Sequence, residues 1–304
     1  MAARTSAQRT RGRKRGPLRP PARKTAERGR AAPTGARARG RDLPVPVAAE
    51  PSQKLHKVLA QSGLGSRRTM EEWIREGKIT VNGEVAAIGT RVKPDDLIRV
   101  GHKVVRWPMT QRLPRVLLYH KPEGEIVSRE DPQGRTSVFE RLPALRGAKW
   151  LAVGRLDYNT SGLLIFTTSG ELANRMMHPR FAVEREYAVR IVGQLTSAQI
   201  ARLTNGIELA DGPAACLSVE DQGGEGTNHW YRIMLREGRN RVVRRMFEAL
   251  GLTVSRLIRV RFGVIALPPR LKRGQVSALP AAEVKRLLAW LDETAPSPQS
   301  TPRA

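Results

Sequence analysis

Large apolar side chains are nearly missing from the first fifty positions, which are dominated by Arg, Ala, Gly and Pro. Such a segment buries too little surface to offset the entropy lost on ordering, so residues 1–51 are expected to form a disordered arm. From residue 52 the pattern changes. Leu55, Val58 and Leu59 recur at helical spacing, Gly63 and Gly65 interrupt, and Ser66 precedes a second helix with Met70, Trp73 and Ile74 on one face. Gly77 stops that helix, and Ile79 to Val85 then alternates around Asn82-Gly83, the signal of a tight hairpin. A strand over Leu97 to Val100 closes a small unit of two helices and a sheet, spanning 52–101.

Residues 102–114, with Trp107-Pro108 and Leu113-Pro114, read as a linker. Beyond it the chain is rich in strand patterns: Val116 to Tyr119, Trp150 to Val153, Leu163 to Thr168, Tyr187 to Val192, Ala215 to Val219 and Trp230 to Leu235. Helical patterns fall at 170–177, 197–205 and 241–250, and a closing helix over Leu279 to Leu291 presents Val284, Leu287, Leu288 and Leu291 on its core face. The mixture lacks a regular alternation of strand and helix, which predicts an α+β domain over 115–291 with a largely antiparallel mixed sheet and flanking helices. Residues 292–304 are expected to be a second disordered tail, and no internal repeat is present.

Charge sets the partner. The chain holds 54 Lys+Arg against 28 Asp+Glu, a formal net charge of +26. Residues 1–50 carry 14 Lys+Arg and three Asp+Glu, so the remaining chain is basic in its own right. No basic amphipathic helix with an exposed apolar face is evident, which favours nucleic acid over a membrane surface. Basic Lys54, Arg67 and Arg68 on the first unit would form a platform for a phosphate backbone. The single cysteine, Cys216, excludes disulfides within the chain, and the five histidines are scattered without ligand-like spacing, so no metal is expected. With no apolar run of membrane-spanning length and no apolar core of a signal peptide, the expected location is the cytoplasm.

Against this basic background one carboxylate stands out. Asp157 lies in Val153-Gly154-Arg155-Leu156-Asp157-Tyr158-Asn159-Thr160-Ser161-Gly162, a segment of turn-forming residues between two apolar runs. An anion on a rigid turn weakens the binding of a polyanion, so it points to chemistry. A noncatalytic RNA-binding or ribosome-assembly factor remains the rival reading, while a metal-dependent RNA hydrolase needs a carboxylate or histidine cluster that the sequence does not offer.

Gly154-Arg155-Leu156-Asp157 followed by Thr160-Ser161-Gly162-Leu163-Leu164 resembles the signature of pseudouridine synthases of the ribosomal small-subunit synthase A superfamily. His120-Lys121-Pro122-Glu123-Gly124, Arg185-Glu186-Tyr187-Ala188-Val189, the run from Glu237 through Met246, and Ser255 to Gly263 resemble further stretches of that family. Residues 53–60, 65–68 and 77–83 resemble the S4 RNA-binding domain. Within the family, 211–215 and 223–231 are most similar to the type that acts on large-subunit ribosomal RNA.

The resemblance implies that Asp157 is the catalytic carboxylate, that Arg244 is its cationic partner, and that Tyr187 stacks on the target base and relays the proton leaving C5. It implies base flipping, with Arg155 filling the vacated space or holding the backbone. Lys121, placed in a loop with Pro122 and Gly124, and Arg239 and Arg241 would contact phosphates. One position departs from the family pattern, Val242 standing where Gln is frequent. The reaction breaks the bond from N1 to C1′ and rejoins the base through C5, without redox change, so no cofactor is implied. The expected partner is ribosomal RNA or a precursor particle, and the protein is expected to act as a monomer.

Overall fold

The computed structural model describes residues 52–107, 113–145 and 148–294. The expected basic arm lies outside these residues, as does the expected C-terminal tail from residue 295 onward.

The N-terminal unit begins with β1 (Gln53–Lys54), α1 (Leu55–Gln61) and α2 (Arg67–Arg75). Leu55, Val58, Leu59, Met70 and Ile74 are buried together, as their spacing predicts. Ser66 caps α2 by accepting from the Thr69 amide at 3.0 Å. Strands β2 (Ile79–Val81), β3 (Glu84–Val85), β4 (Arg91–Val92), β5 (Ile98–Val100) and β6 (Lys103–Val105) follow. Asn82 and Gly83 both have positive φ, 53° and 93°, the geometry that joins β2 to β3 with a two-residue turn. The order β3-β2-β5-β6 extends the sheet into residues expected to be linker, because Val105 pairs with Ile98 and is buried against the helices.

The second unit contains β7 (Val116–Lys121), β8 (Leu151–Val153), β9 (Ser161–Thr167), α3 (Gly170–Met177), β10 (Arg185–Val192), α4 (Ser197–Asn205), β11 (Ile207–Leu209) and β12 (Gly212–Ala214). It continues through β13 (Ser218–Glu225), β14 (Asn228–Leu235), α5 (Val242–Glu248), β15 (Val254–Phe262), β16 (Ile265–Ala266), β17 (Val276–Ala278) and α6 (Ala281–Glu293). The last helix takes in residues 292 and 293, which the sequence pattern assigns to the tail.

Nine of these strands form one sheet in the order β13-β14-β10-β15-β9-β7-β17, with β16 beside β15 and β8 beside β9. Every pairing is antiparallel except β9 with β15. All residues of β9 are buried, because Leu163 and Ile165 pack with α3 and α6 while Leu164 and Phe166 pack with Tyr119 and Trp150 on the other face. On the far side of β15, Val189, Ile191, Tyr231 and Ile233 pack with Leu203 of α4 and Met246 and Phe247 of α5.

The parallel contact between β9 and β15 is short, with Ser161 opposite Ile258 and Gly162 opposite Arg259. Gly162 has φ +108°, and a Cβ there would collide with the main-chain oxygen of Arg259 and lie 2.6 Å from its nitrogen. Only glycine lets the two strands approach so closely. This junction brings the end of the Asp157 turn against the middle of the sheet.

Candidate active site

Asp157 opens a tight turn between β8 and β9, in which the Thr160 amide donates to the Asp157 carbonyl at 3.0 Å. Each carbonyl of this turn is held. Lys121 Nζ donates to the carbonyls of Asp157 at 3.1 Å and Thr160 at 2.9 Å. The Gly124 amide donates to Tyr158 O at 3.0 Å, and Arg244 Nη2 donates to Asn159 O at 2.8 Å. Two buried cations and one amide thus fix the main chain from which the Asp157 carboxylate projects.

Lys121 is therefore not a phosphate contact in a loop, as its sequence context suggests. It ends β7, is fully buried, and spends its third bond on Pro122 O at 2.9 Å. Burial pushes its ammonium down to about 8, while Glu125, Asp157 and Glu123 act in the opposite direction. Arg244 also departs from expectation. Its guanidinium bridges Val254 O at 2.7 Å and Asn159 O, rather than forking onto the Asp157 carboxylate. Burial lowers its pKa first and the Arg241 charge adds to this, whereas Asp157 raises it, so Arg244 supports Asp157 through the turn and the local field. Among the described residues Arg244 forms no ion pair, and Glu248 on the same helix lies 3.5 Å from Arg241.

The turn borders a cavity of about 470 Å³ lined by Arg155, Asp157, Tyr187, Arg241, Arg259 and Phe262, with Arg185, Arg239 and Leu257 among the remaining walls. Tyr187 lies in β10 directly opposite Arg259 of β15. The Tyr187 ring is buried, and Asp157 is half-buried. The two therefore share one cleft, as the sequence reading anticipates. Arg155 is exposed on the cavity lining. Arg241 occupies the left-handed region with φ 49° just before α5 and is also exposed there.

Arg239 is already engaged. It donates to Glu237 and to Asp211, and to the carbonyls of Asp211, Gly212 and Pro213. Its donors thus tie the loop before α5 to the β11–β12 hairpin, a structural task in place of the expected phosphate contact. Arg245 adds two bonds to Asp211 at 2.7 and 3.0 Å. Lys54, Arg67 and Arg68 are exposed on the N-terminal unit.

Two buried arginines were not singled out by their sequence context. Arg185 donates to Val183 O at 3.0 Å and Arg236 O at 2.9 Å, and Arg259 donates to Leu163 O at 2.8 Å. Their guanidinium carbons each lie 4.9 Å from the centre of the Phe262 ring. Desolvation lowers the pKa of both. The available signal was the spacing of Arg256, Arg259 and Arg261 within an apolar run, which hides a strand behind its charges. Among the described residues, no group of three His, Cys, Asp or Glu side chains is arranged to hold a metal ion, and no helix is long and apolar enough to cross a membrane.

A basic protein with a carboxylate on a clamped turn, an aromatic ring in the same cleft and a separate small unit of two helices and a sheet is built to act on RNA. Residues 115–249 match the RNA pseudouridylate synthase family, and residues 53–98 match the S4 domain. The chain is 54% identical over 239 residues to the ribosomal large subunit pseudouridine synthase B of Escherichia coli K12, covering 78% of this chain and 82% of that one. It is 53% identical over 234 residues to the protein of the same name from Pseudomonas aeruginosa, covering 76% and 61% of the two chains. A crystal structure of a pseudouridylate synthase superposes with a TM-score of 0.54 at 25% identity, covering 77% of this chain and 99% of that chain. The chain belongs to the RNA pseudouridylate synthase family and is an S4-domain-bearing enzyme of it.

Proposed function

We propose that this enzyme converts a uridine of large-subunit ribosomal RNA to pseudouridine, with Asp157 as the reacting carboxylate. The observation that carries this reading is the clamped Asp157 turn facing Tyr187 across one cavity, in a chain 54% identical to relatives named for large-subunit RNA. The net reaction cleaves N1–C1′, forms C5–C1′, moves the C5 hydrogen off carbon and leaves N1 bearing a proton. A half-buried carboxylate on a rigid main chain suits such an exchange, as a nucleophile or as a fixed negative charge.

A base in folded RNA must leave its stack to reach Asp157. Arg155, exposed on the cavity lining, is suited to fill the vacated space, and Arg241, exposed on the same lining, to hold a phosphate. Tyr187 offers a stacking face to the extruded uracil and a hydroxyl to carry the proton from C5. Lys54, Arg67 and Arg68 of the S4 domain would grip the surrounding backbone, and the chain would work as a monomer in the cytoplasm. The test is to map pseudouridines in large-subunit ribosomal RNA from cells with and without the gene for this chain. Loss of one specific pseudouridine is expected; an unchanged map contradicts the substrate.

A further inference from the structure

The central sheet has a second side that the Asp157 cavity does not use. Along β10, Tyr187, Val189 and Ile191 point into the core, so Glu186, Ala188 and Arg190 point to the reverse face. Directly opposed residues of a sheet project to the same face, and Arg190 stands opposite Trp230 of β14 and opposite Arg256 of β15. Arg256, Arg190 and Trp230 therefore form one row across three neighbouring strands, about 10 Å long at the usual strand spacing. Arg256 is exposed, Arg190 and Trp230 are half-buried, and Val192 beside the row is 51% exposed.

Like charges set directly opposite each other in a sheet repel, yet among the described residues neither Arg190 nor Arg256 forms an ion pair. Glu186 on this face pairs instead with Arg232 at 3.3 Å and Arg261 at 2.7 Å. Arg190 Nε donates to Ser255 Oγ at 3.0 Å, which fixes the guanidinium without neutralising it. The Trp230 ring and Arg190 also border a cavity of about 470 Å³, together with Asn228 and the β13 bulge at Gln222, Gly223 and Gly224. The Arg190 guanidinium carbon lies 5.8 Å from the ring centre, close to the outer limit of about 6 Å for a cation over an aromatic face, so their contact is loose. Glu220 stands opposite Arg232, and Glu225 opposite Asn228, both on the edge strand β13. Positive charge is thus concentrated at the β15 end of the row and the aromatic ring sits at the β14 end. An aromatic ring on an open cavity beside two uncompensated arginines suits single-stranded nucleic acid, whose base stacks on the ring and whose phosphates take the guanidinium groups. A second copy of the chain would bring like charge against this row.

We propose that the reverse face of the sheet is a second RNA-binding site, in which an unpaired nucleotide other than the target uridine stacks its base on Trp230 and lays its phosphates on Arg190 and Arg256. This rests on the proposed ribosomal RNA substrate. The target uridine enters on the side where Tyr187 lies, so the two sites take different nucleotides. Holding one RNA at both sites adds avidity and favours an RNA that reaches around the sheet.

The test places a photoreactive benzophenone amino acid at position 230 of the full chain, binds it to large-subunit ribosomal RNA and maps the cross-links by primer extension. A cross-link at an unpaired nucleotide away from the converted uridine is expected. Trp230→Ala should weaken affinity for this RNA by at least about 5-fold, the low end of one base–aromatic stack. Arg190→Gln combined with Arg256→Gln should reduce the salt slope of binding by about 1.4, two single-strand phosphates. Arg256→Gln alone, at an exposed position, should reduce it by about 0.7 and keeps the test readable if the other variants fail to fold. The proposal is overturned by the absence of an RNA cross-link, or by a cross-link to the converted uridine itself or to a second copy of the chain. It is equally overturned by unchanged affinity in a folded Trp230→Ala or an unchanged slope in Arg256→Gln. A wild type that binds the RNA but converts no uridine contradicts the proposed reaction instead, so the two failures are distinguishable.

Discussion

Lys121 Nζ lies 3.1 Å from the main-chain oxygen of Asp157, so a fully buried lysine fixes the backbone of the proposed catalytic residue without touching its carboxylate. The same ammonium holds the Thr160 carbonyl at the other end of the turn. Placement of the Asp157 side chain thus begins with carbonyl contacts beneath it.

Lys121→Met keeps the unbranched stem as far as Cε but removes the ammonium and frees three carbonyls. It should destabilise the protein by about 1–3 kcal/mol and lower kcat more than RNA affinity. The wild-type ammonium is pushed down to about 8 from its ordinary 10.5 by burial. Between those values the unfolded chain holds a proton that the folded chain has released, so this group makes stability rise with pH across the window. Denaturant unfolding at several pH values should show the wild type gaining stability relative to Lys121→Met from pH 8 to 10.5. Parallel curves contradict the assignment.

Gly162→Ala should be among the most damaging small substitutions. The added Cβ meets main chain of Arg259 and the backbone keeps φ near +108°. A loss of more than about 3 kcal/mol is expected from thermal or denaturant unfolding. A near-neutral change would show that the β9–β15 junction relaxes freely.

Arg244→Lys separates a positioning role from simple charge. The guanidinium bridges Val254 O and Asn159 O, which a single ammonium cannot span. We expect kcat to fall by about 100-fold while RNA Kd changes little. Wild-type kcat in this variant means that the bridge is dispensable.

Arg67 and Arg68 are exposed at the start of α2 in the S4 domain. If each neutralises one phosphate, replacing both with Gln should reduce the salt slope of RNA binding, log K against log salt, by roughly 1.4–1.8. Affinity measured from low to moderate salt checks this. An unchanged slope places the RNA path elsewhere.

How far the fold is legible in the sequence varies by segment. The two short helices with their Asn82-Gly83 hairpin, and helices at 170–177 and 197–205, follow from apolar spacing and caps, because local signals and burial agree there. The central strand β15 does not read as one, since Arg256, Arg259 and Arg261 interrupt its apolar residues. Its charges become tolerable only through distant partners: Leu163 O and Phe262 for Arg259, and Glu186 for Arg261 at 2.7 Å. The expected strand over 215–219 is displaced to Ser218–Glu225, a longer strand that Gly223 and Gly224 disguise. Its bulge needs those glycines, since a Cβ on Gly224 would meet main chain of Asn228 and His229.

The site divides in the same way. Asp157 and Tyr187 line one cavity, because Tyr187 sits on β10 and Asp157 on the turn that joins β8 to β9 of the same sheet. The tasks of Lys121, Arg239 and Arg244 are invisible in sequence, because each bonds to carbonyl oxygens, which leave no trace in residue identity.

Tritium release from C5-labelled uridine in large-subunit ribosomal RNA, compared between the wild type and Asp157→Asn, is the most direct measurement. The wild type should release tritium as the uridine is rearranged. The variant, nearly isosteric but neutral, should fold and bind RNA like the wild type and release none above background. Undiminished release by Asp157→Asn contradicts the assignment of Asp157 as the reacting carboxylate.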